Sequence, residues 1–141
     1  MKYFVLFVVV CGLATAYAQD QLLEKAKIIA EDCKTKSGAT DEDVAIMFKH
    51  EPAANDQGKC LHACVMKNFG VLDDTNKLNT ETAATIIKTI AVGDANLEKL
   101  GLETVDACKA IKTSENNCEA GEIIRACVIG KSKENGFKLP F

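Results

Sequence analysis

Apolar residues recur along this chain at intervals of three and four almost from end to end, and that spacing predicts helices. Leu22, Ala26, Ile29, Ala30 and Cys33 share one face of a first helix. Thr40-Asp41-Glu42-Asp43 has the form of a capping box, opening a short second helix through Val44, Met47 and Phe48 that stops before Pro52. Asn55-Asp56 caps a third, about residues 57–69, closed by Gly70. Ala83, Ile86, Ile87 and Ile90 form the stripe of a fourth, with Asn79 or Thr80 as its cap. Leu97, Leu100, Val105, Cys108 and Ile111 mark a fifth. Ala120, Ile123, Ile124, Cys127 and Val128 mark a sixth, capped near Asn117. No window alternates with period two for long enough to argue a strand, and the only linker-like stretch is residues 71–78. The expected fold is all-α.

The first eighteen residues follow a different pattern. Lys2 supplies a positive start, Phe4 to Leu13 is a short apolar run, and Ala16-Tyr17-Ala18 is a small-x-small cleavage site. This is the form of a secretory signal peptide cut after Ala18, and the run is too short to span a bilayer. The expected organisation is a signal peptide, residues 1–18, and one domain, residues 19–141, in a secreted, extracellular protein.

Charge and composition narrow the partners. Removing Lys2 from the 17 basic residues leaves 16 against 20 acidic ones, a mature net charge of −4. Both signs are scattered with no basic block, which argues against nucleic acid and against stable membrane insertion. Both tyrosines lie before the cleavage site and there is no tryptophan. The mature aromatics are Phe48, Phe69, Phe137 and Phe141, so buried surface must come mostly from Ile, Val, Leu, Met and Ala.

Six cysteines remain in the mature chain: Cys33, Cys60, Cys64, Cys108, Cys118 and Cys127. An even count in a secreted chain reads as three disulfides, with about fifteen pairings open. Zinc would need paired ligands such as Cys-x-x-Cys, and none occurs, so no metal and no cofactor is expected. Cys60 and Cys64 sit four apart on one helix face, where a mutual bond is poor, so they should bond outward to different partners. A frame stapled in this way need not be packed solid.

Between successive cysteines lie 26, 3, 43, 9 and 8 residues. With the chain length, leader and helix count, this spacing resembles the insect odorant-binding proteins of the pheromone and general odorant-binding type, over essentially the whole mature chain. The resemblance implies a six-helix domain around an apolar cavity and the pairs Cys33–Cys64, Cys60–Cys118 and Cys108–Cys127. It also implies a carrier of small hydrophobic molecules, with a chemosensory receptor as a further partner. The lack of mature Trp and Tyr departs from pockets of that family and points to an aliphatic cargo, with a fatty acid as the leading candidate.

Other functions lack parts. His62 on a cysteine-bearing helix invites comparison with small secreted phospholipases, but no Asp follows it and no Gly-rich calcium loop precedes it. His50 and Glu51 are neighbours that point apart, and no Gly-x-Ser-x-Gly occurs. The chain is therefore expected not to be an enzyme. A lipid-handling or defence protein acting at membranes is the alternative, and it would want a basic amphipathic face that this chain lacks.

Cavity-wall candidates follow from helix faces. His62, Val65, Met66 and Phe69 share one face of the third helix, and Ile86, Ile87, Ile90, Leu97, Leu100, Val105, Ile124 and Val128 extend the set. Each is equally suited to ordinary core. His62 is expected at the rim, bonded to backbone, with a ligand anchor as the second reading; Arg125 is expected in solvent. The tail begins polar and turn-prone at residues 131–136 and ends Phe137-Lys138-Leu139-Pro140-Phe141. Phe137, Leu139 and Phe141 are expected on one side of an extended segment folded back over the cavity. On that reading, removing residues 136–141 would weaken ligand binding with little effect on unfolding.

Overall fold

The computed structural model describes the backbone of residues 2–139 and the side chains of residues 16–139. The described residues form six helices: α1 (Lys2–Ser37), α2 (Asp41–Phe48), α3 (Asp56–Asn68), α4 (Thr80–Ile90), α5 (Ala95–Cys108) and α6 (Asn117–Asn135). None is long and apolar enough to cross a membrane.

Five helices open on a side-chain cap. Thr40, Asn55, Asn79, Asp94 and Asn116 each accept a backbone N–H from the first turn of the helix they precede. These donors have no partner within the helix, so each cap removes an unmet group. Thr40 and Asp43 complete the reciprocal capping box. Asp43 is buried and also accepts from Asn55 Nδ2 at 2.9 Å, which ties the start of α2 to the cap of α3.

The apolar stripes meet around α3 and α6, which share the most extensive contact. α1 lies against α3, and α5 joins α6 to α4. The α3–α6 approach requires Gly121: a Cβ there would lie 2.8 Å from Ala63 Cα. Three disulfides fix the same frame, Cys33–Cys64 from α1 to α3, Cys60–Cys118 from α3 to α6 and Cys108–Cys127 from α5 to α6. These are the pairs that the resemblance implies. Cys60 and Cys64 do bond outward from one face of α3, in opposite directions. In the chain-entropy model each loop is worth about 3–4 kcal/mol.

Two stretches are more ordered than their composition suggests. Residues 71–78 form a folded turn, with Leu72 and Leu78 buried and joined by an antiparallel bridge. Asp73 Oδ1 accepts the N–H groups of Thr75 and Lys77, which gives the polar turn its shape. Residues 131–135, expected to be turn, continue α6. Asn135 Nδ2 donates to Leu100 O and Thr104 Oγ1 of α5, and the helix ends only at Gly136, with φ 82°.

The small residues give a direct test of the frame. Gly121→Ala should destabilise the protein by about 1–3 kcal/mol in urea unfolding, because Ala63 backbone must yield. Gly130→Ala, on the same helix with nothing within 4 Å of its Cβ position, should instead stabilise by about 0.5–1 kcal/mol.

Candidate functional site: an apolar cavity with one polar edge

α3 presents His62, Val65, Met66 and Phe69 on one face, and these four border a cavity of about 260 Å³. α1 contributes Leu22 and Ala26, the end of α2 contributes Met47 and Phe48, and His50 follows them. Val71, Ile86 of α4, Arg125 of α6 and Leu139 of the tail complete the wall. The ammonium of Lys25 lies 5.5 Å from the centre of the Phe69 ring. A broader hollow on the outer face of α5, bordered by Glu98, Lys99, Leu102, Glu103 and Asp106, is open to solvent.

Of the residues expected in the wall, His62, Val65, Met66, Phe69, Ile86 and Leu139 are brought together here. Ile87, Ile90, Val105, Ile124 and Phe137 instead belong to the packed core, with Leu97, Leu100 and Val128 against it. The reason is geometric. Ile87 is turned to α5, where a Cβ built on Gly101 would lie 2.6 Å from its Cγ2. The tail does fold back, but its two described apolar side chains divide: Phe137 is buried beside Gly101, and Leu139 reaches the cavity. Deleting residues 136–141 would therefore disturb the core as well as the wall. Phe141 lies outside the described residues.

The polar end of the cavity corrects two expectations. His62 is not a rim residue held by backbone: it is 2% exposed, and its Nδ1 lies 2.9 Å from Glu122 Oε2. Arg125 is not in solvent. Its Nε and Nη2 donate to Glu122 Oε1 at 3.0 and 2.7 Å, and its Nη1 donates to His50 O at 3.3 Å. Glu122 Oε1 also accepts from Ala53 N at 3.3 Å. His50 adopts φ 59°, a conformation uncommon outside glycine, and the guanidinium holds its carbonyl there. Glu122 and Arg125 are neighbours at i, i+3 on α6, a spacing that signals the pair. No signal in the sequence joins them to His62, 60 residues away.

Burial pushes the Glu122 carboxyl up, but hydrogen bonds from His62 and Arg125, with the charge of Arg125, hold it down at about 2. Among the described residues no cluster of His, Cys, Asp or Glu is placed to hold a metal ion. Among the described residues the wall contains no hydroxyl, thiol or lysine.

A disulfide-stapled six-helix frame around a half-open, apolar space defines a binding protein for small hydrophobic molecules. The PBP/GOBP family model matches residues 15–131, and the chain belongs to that family. It is 40% identical over 125 residues to general odorant-binding protein 28a of Drosophila melanogaster, covering 89% of this chain and 87% of that one. General odorant-binding protein 19d of the same fly is 38% identical over 116 residues, covering 82% of this chain and 77% of the relative. The solved structure of Drosophila melanogaster OBP28a superposes with a TM-score of 0.77 at 40% identity, covering 85% of this chain and 99% of that chain. A fatty acid binding protein, OBP56a, from the oral disk of the blowfly Phormia regina has the same fold, with a TM-score of 0.63 at 19% identity over 81% of this chain and 94% of its own. The Drosophila relatives are described as odorant-binding proteins.

The depressed Glu122 value predicts an acid limb. Its stabilisation is fully present above the ordinary carboxyl value near 4.5 and is lost as pH falls towards about 2. The loss is on the order of 3 kcal/mol. Urea midpoints measured from pH 6 to 2.5 should fall more steeply below pH 4.5 for the parent than for Glu122→Gln, which has no proton to gain.

Proposed function

We propose that the chain is a secreted carrier that takes up an aliphatic molecule, a fatty acid or a related chain, in the cavity between α1, α2, α3, α4 and the tail. The leader is removed after Ala18 on this reading, and residues 19–141 are the working carrier. The observation that carries it is the wall itself: Leu22, Val65, Met66, Val71, Ile86 and Leu139 offer flexible or branched hydrocarbon, with Phe48 and Phe69 the only phenyl rings among the described residues. Such a surface is complementary to a chain that can bend and gives little face for stacking a compact aromatic. The blowfly relative described as fatty acid binding supports the choice, since it has the same frame.

Size and energy agree with this cargo. A volume of about 260 Å³ corresponds to roughly nine groups of the size of a water or a methylene. Each buried methylene contributes about 0.8 kcal/mol, so nine give about 7 kcal/mol before the association cost. A polar head bonded at one end adds about 1 kcal/mol. Delivery to a chemosensory receptor is the role we assign to the loaded carrier.

Titration with straight-chain acids and alcohols should show affinity rising about fourfold per methylene up to roughly nine or ten carbons, then levelling. Equal affinity along the series, or preference for compact aromatic odorants, would refute the aliphatic reading. Leu139→Ala should move the levelling point to longer chains with little change in unfolding. Phe137→Ala should cost about 3 kcal/mol of stability instead, since Phe137 is a core residue.

A further inference from the structure

One buried side-chain nitrogen in this wall has no hydrogen-bond partner among the described residues. His62 Nε2 is fully buried, and no donor or acceptor of the described residues reaches it. A buried ring nitrogen left without a hydrogen bond is costly, and native proteins rarely keep one without a use. His62 borders the cavity and Glu122 does not. With Nδ1 turned to Glu122, Nε2 is the ring nitrogen left without a partner in a side chain that borders the cavity.

The carboxylate decides what that edge can do. Glu122 is ionised and has no proton to give, so the hydrogen between it and His62 belongs to Nδ1. In the neutral ring, Nε2 is then a lone-pair acceptor. Arg125 offers no competing attraction for an anion, since its charge is taken by the same Glu122. The other carboxylate near the ring is Asp43, at the start of α2, which already accepts from Thr40 and Asn55.

We infer that His62 Nε2 is the head-group anchor of the cavity and selects aliphatic ligands that end in a hydrogen-bond donor, a hydroxyl above all. This rests on the carrier reading and narrows it. A long-chain alcohol meets the anchor directly, a fatty acid meets it only with its carboxyl proton in place, and an ether or ester of equal size leaves Nε2 unpaired.

Glu122→Gln inverts the selection. Three donors converge on Glu122 Oε1: Arg125 Nε, Arg125 Nη2 and Ala53 N. The amide oxygen must take that position, so the amide NH₂ faces His62. Nδ1 becomes the acceptor, the proton moves to Nε2, and the cavity edge becomes a donor.

The test compares two isomers, 1-decanol and methyl nonyl ether, by displacement of a fluorescent apolar probe at pH 7.5. The parent protein should bind the alcohol about tenfold more tightly than the ether, and Glu122→Gln should lose or reverse that preference. Equal affinity of the two isomers for the parent would overturn the anchor while leaving the carrier reading intact. No binding of either isomer would refute the carrier reading, and the anchor with it. A ¹⁵N spectrum of the imidazole in the free parent protein gives an answer that does not depend on any variant folding. The Nδ1–H form with a bare Nε2 is expected, and a proton on Nε2 would overturn the assignment.

Discussion

The near contact of α3 and α6 at Gly121 and Ala63 is the constraint on which the other features depend. With a built Cβ 2.8 Å from Ala63 Cα, no side chain of any size separates the two backbones. That closeness lets Cys60 reach Cys118 and lets Glu122 reach the ring of His62. It also sets Arg125 where its guanidinium can hold the chain that leaves α2. A wider spacing would break all three at once, because each depends on side chains of fixed length.

Charge beside an apolar space needs its own account. Taking Glu122 and Arg125 out of water costs several kcal/mol per ion, and the pair is sustained only because its hydrogen bonds are well met. Arg125 Nε and Nη2, Ala53 N and His62 Nδ1 satisfy both carboxylate oxygens. Losing one member would leave the others buried and unpaired, which is far worse than never having had them. Compared with a well-packed apolar replacement the network adds little net stability, and its value lies in holding the imidazole and the His50 carbonyl in one arrangement.

What could be read from the sequence was local, and what could not was relational. Thr40, Asn55 and Asn79 were legible as caps because a cap acts within three residues of itself. The helix stripes were legible for the same reason, and the cysteine intervals carried the frame through their resemblance to a known family. Periodicity could not decide which face of a helix meets a cavity: Ile86 and Ile87 are adjacent on one stripe, yet one lines the space and the other packs against Gly101. Met47 and Phe48 were visible as helix residues but not as wall, since nothing in α2 says what lies opposite. Arg125 was misplaced because a lone arginine is usually solvated, and its burial follows from the Glu122 carboxylate one turn earlier on α6 and a carbonyl after α2.

The disulfides divide the structure into a part that cannot vary freely and a part that can. α1, α3, α5 and α6 are joined by disulfides, whereas none of the three reaches α2, α4 or the tail. Met47, Phe48, Ile86 and Leu139 come from that second group, and His62 and Arg125 from the first. Substitution at the former reshapes the space for the chain without touching the groups that meet its end. A duplicated gene could thus diversify in the length and branching of what it carries while inheriting its head-group chemistry unchanged.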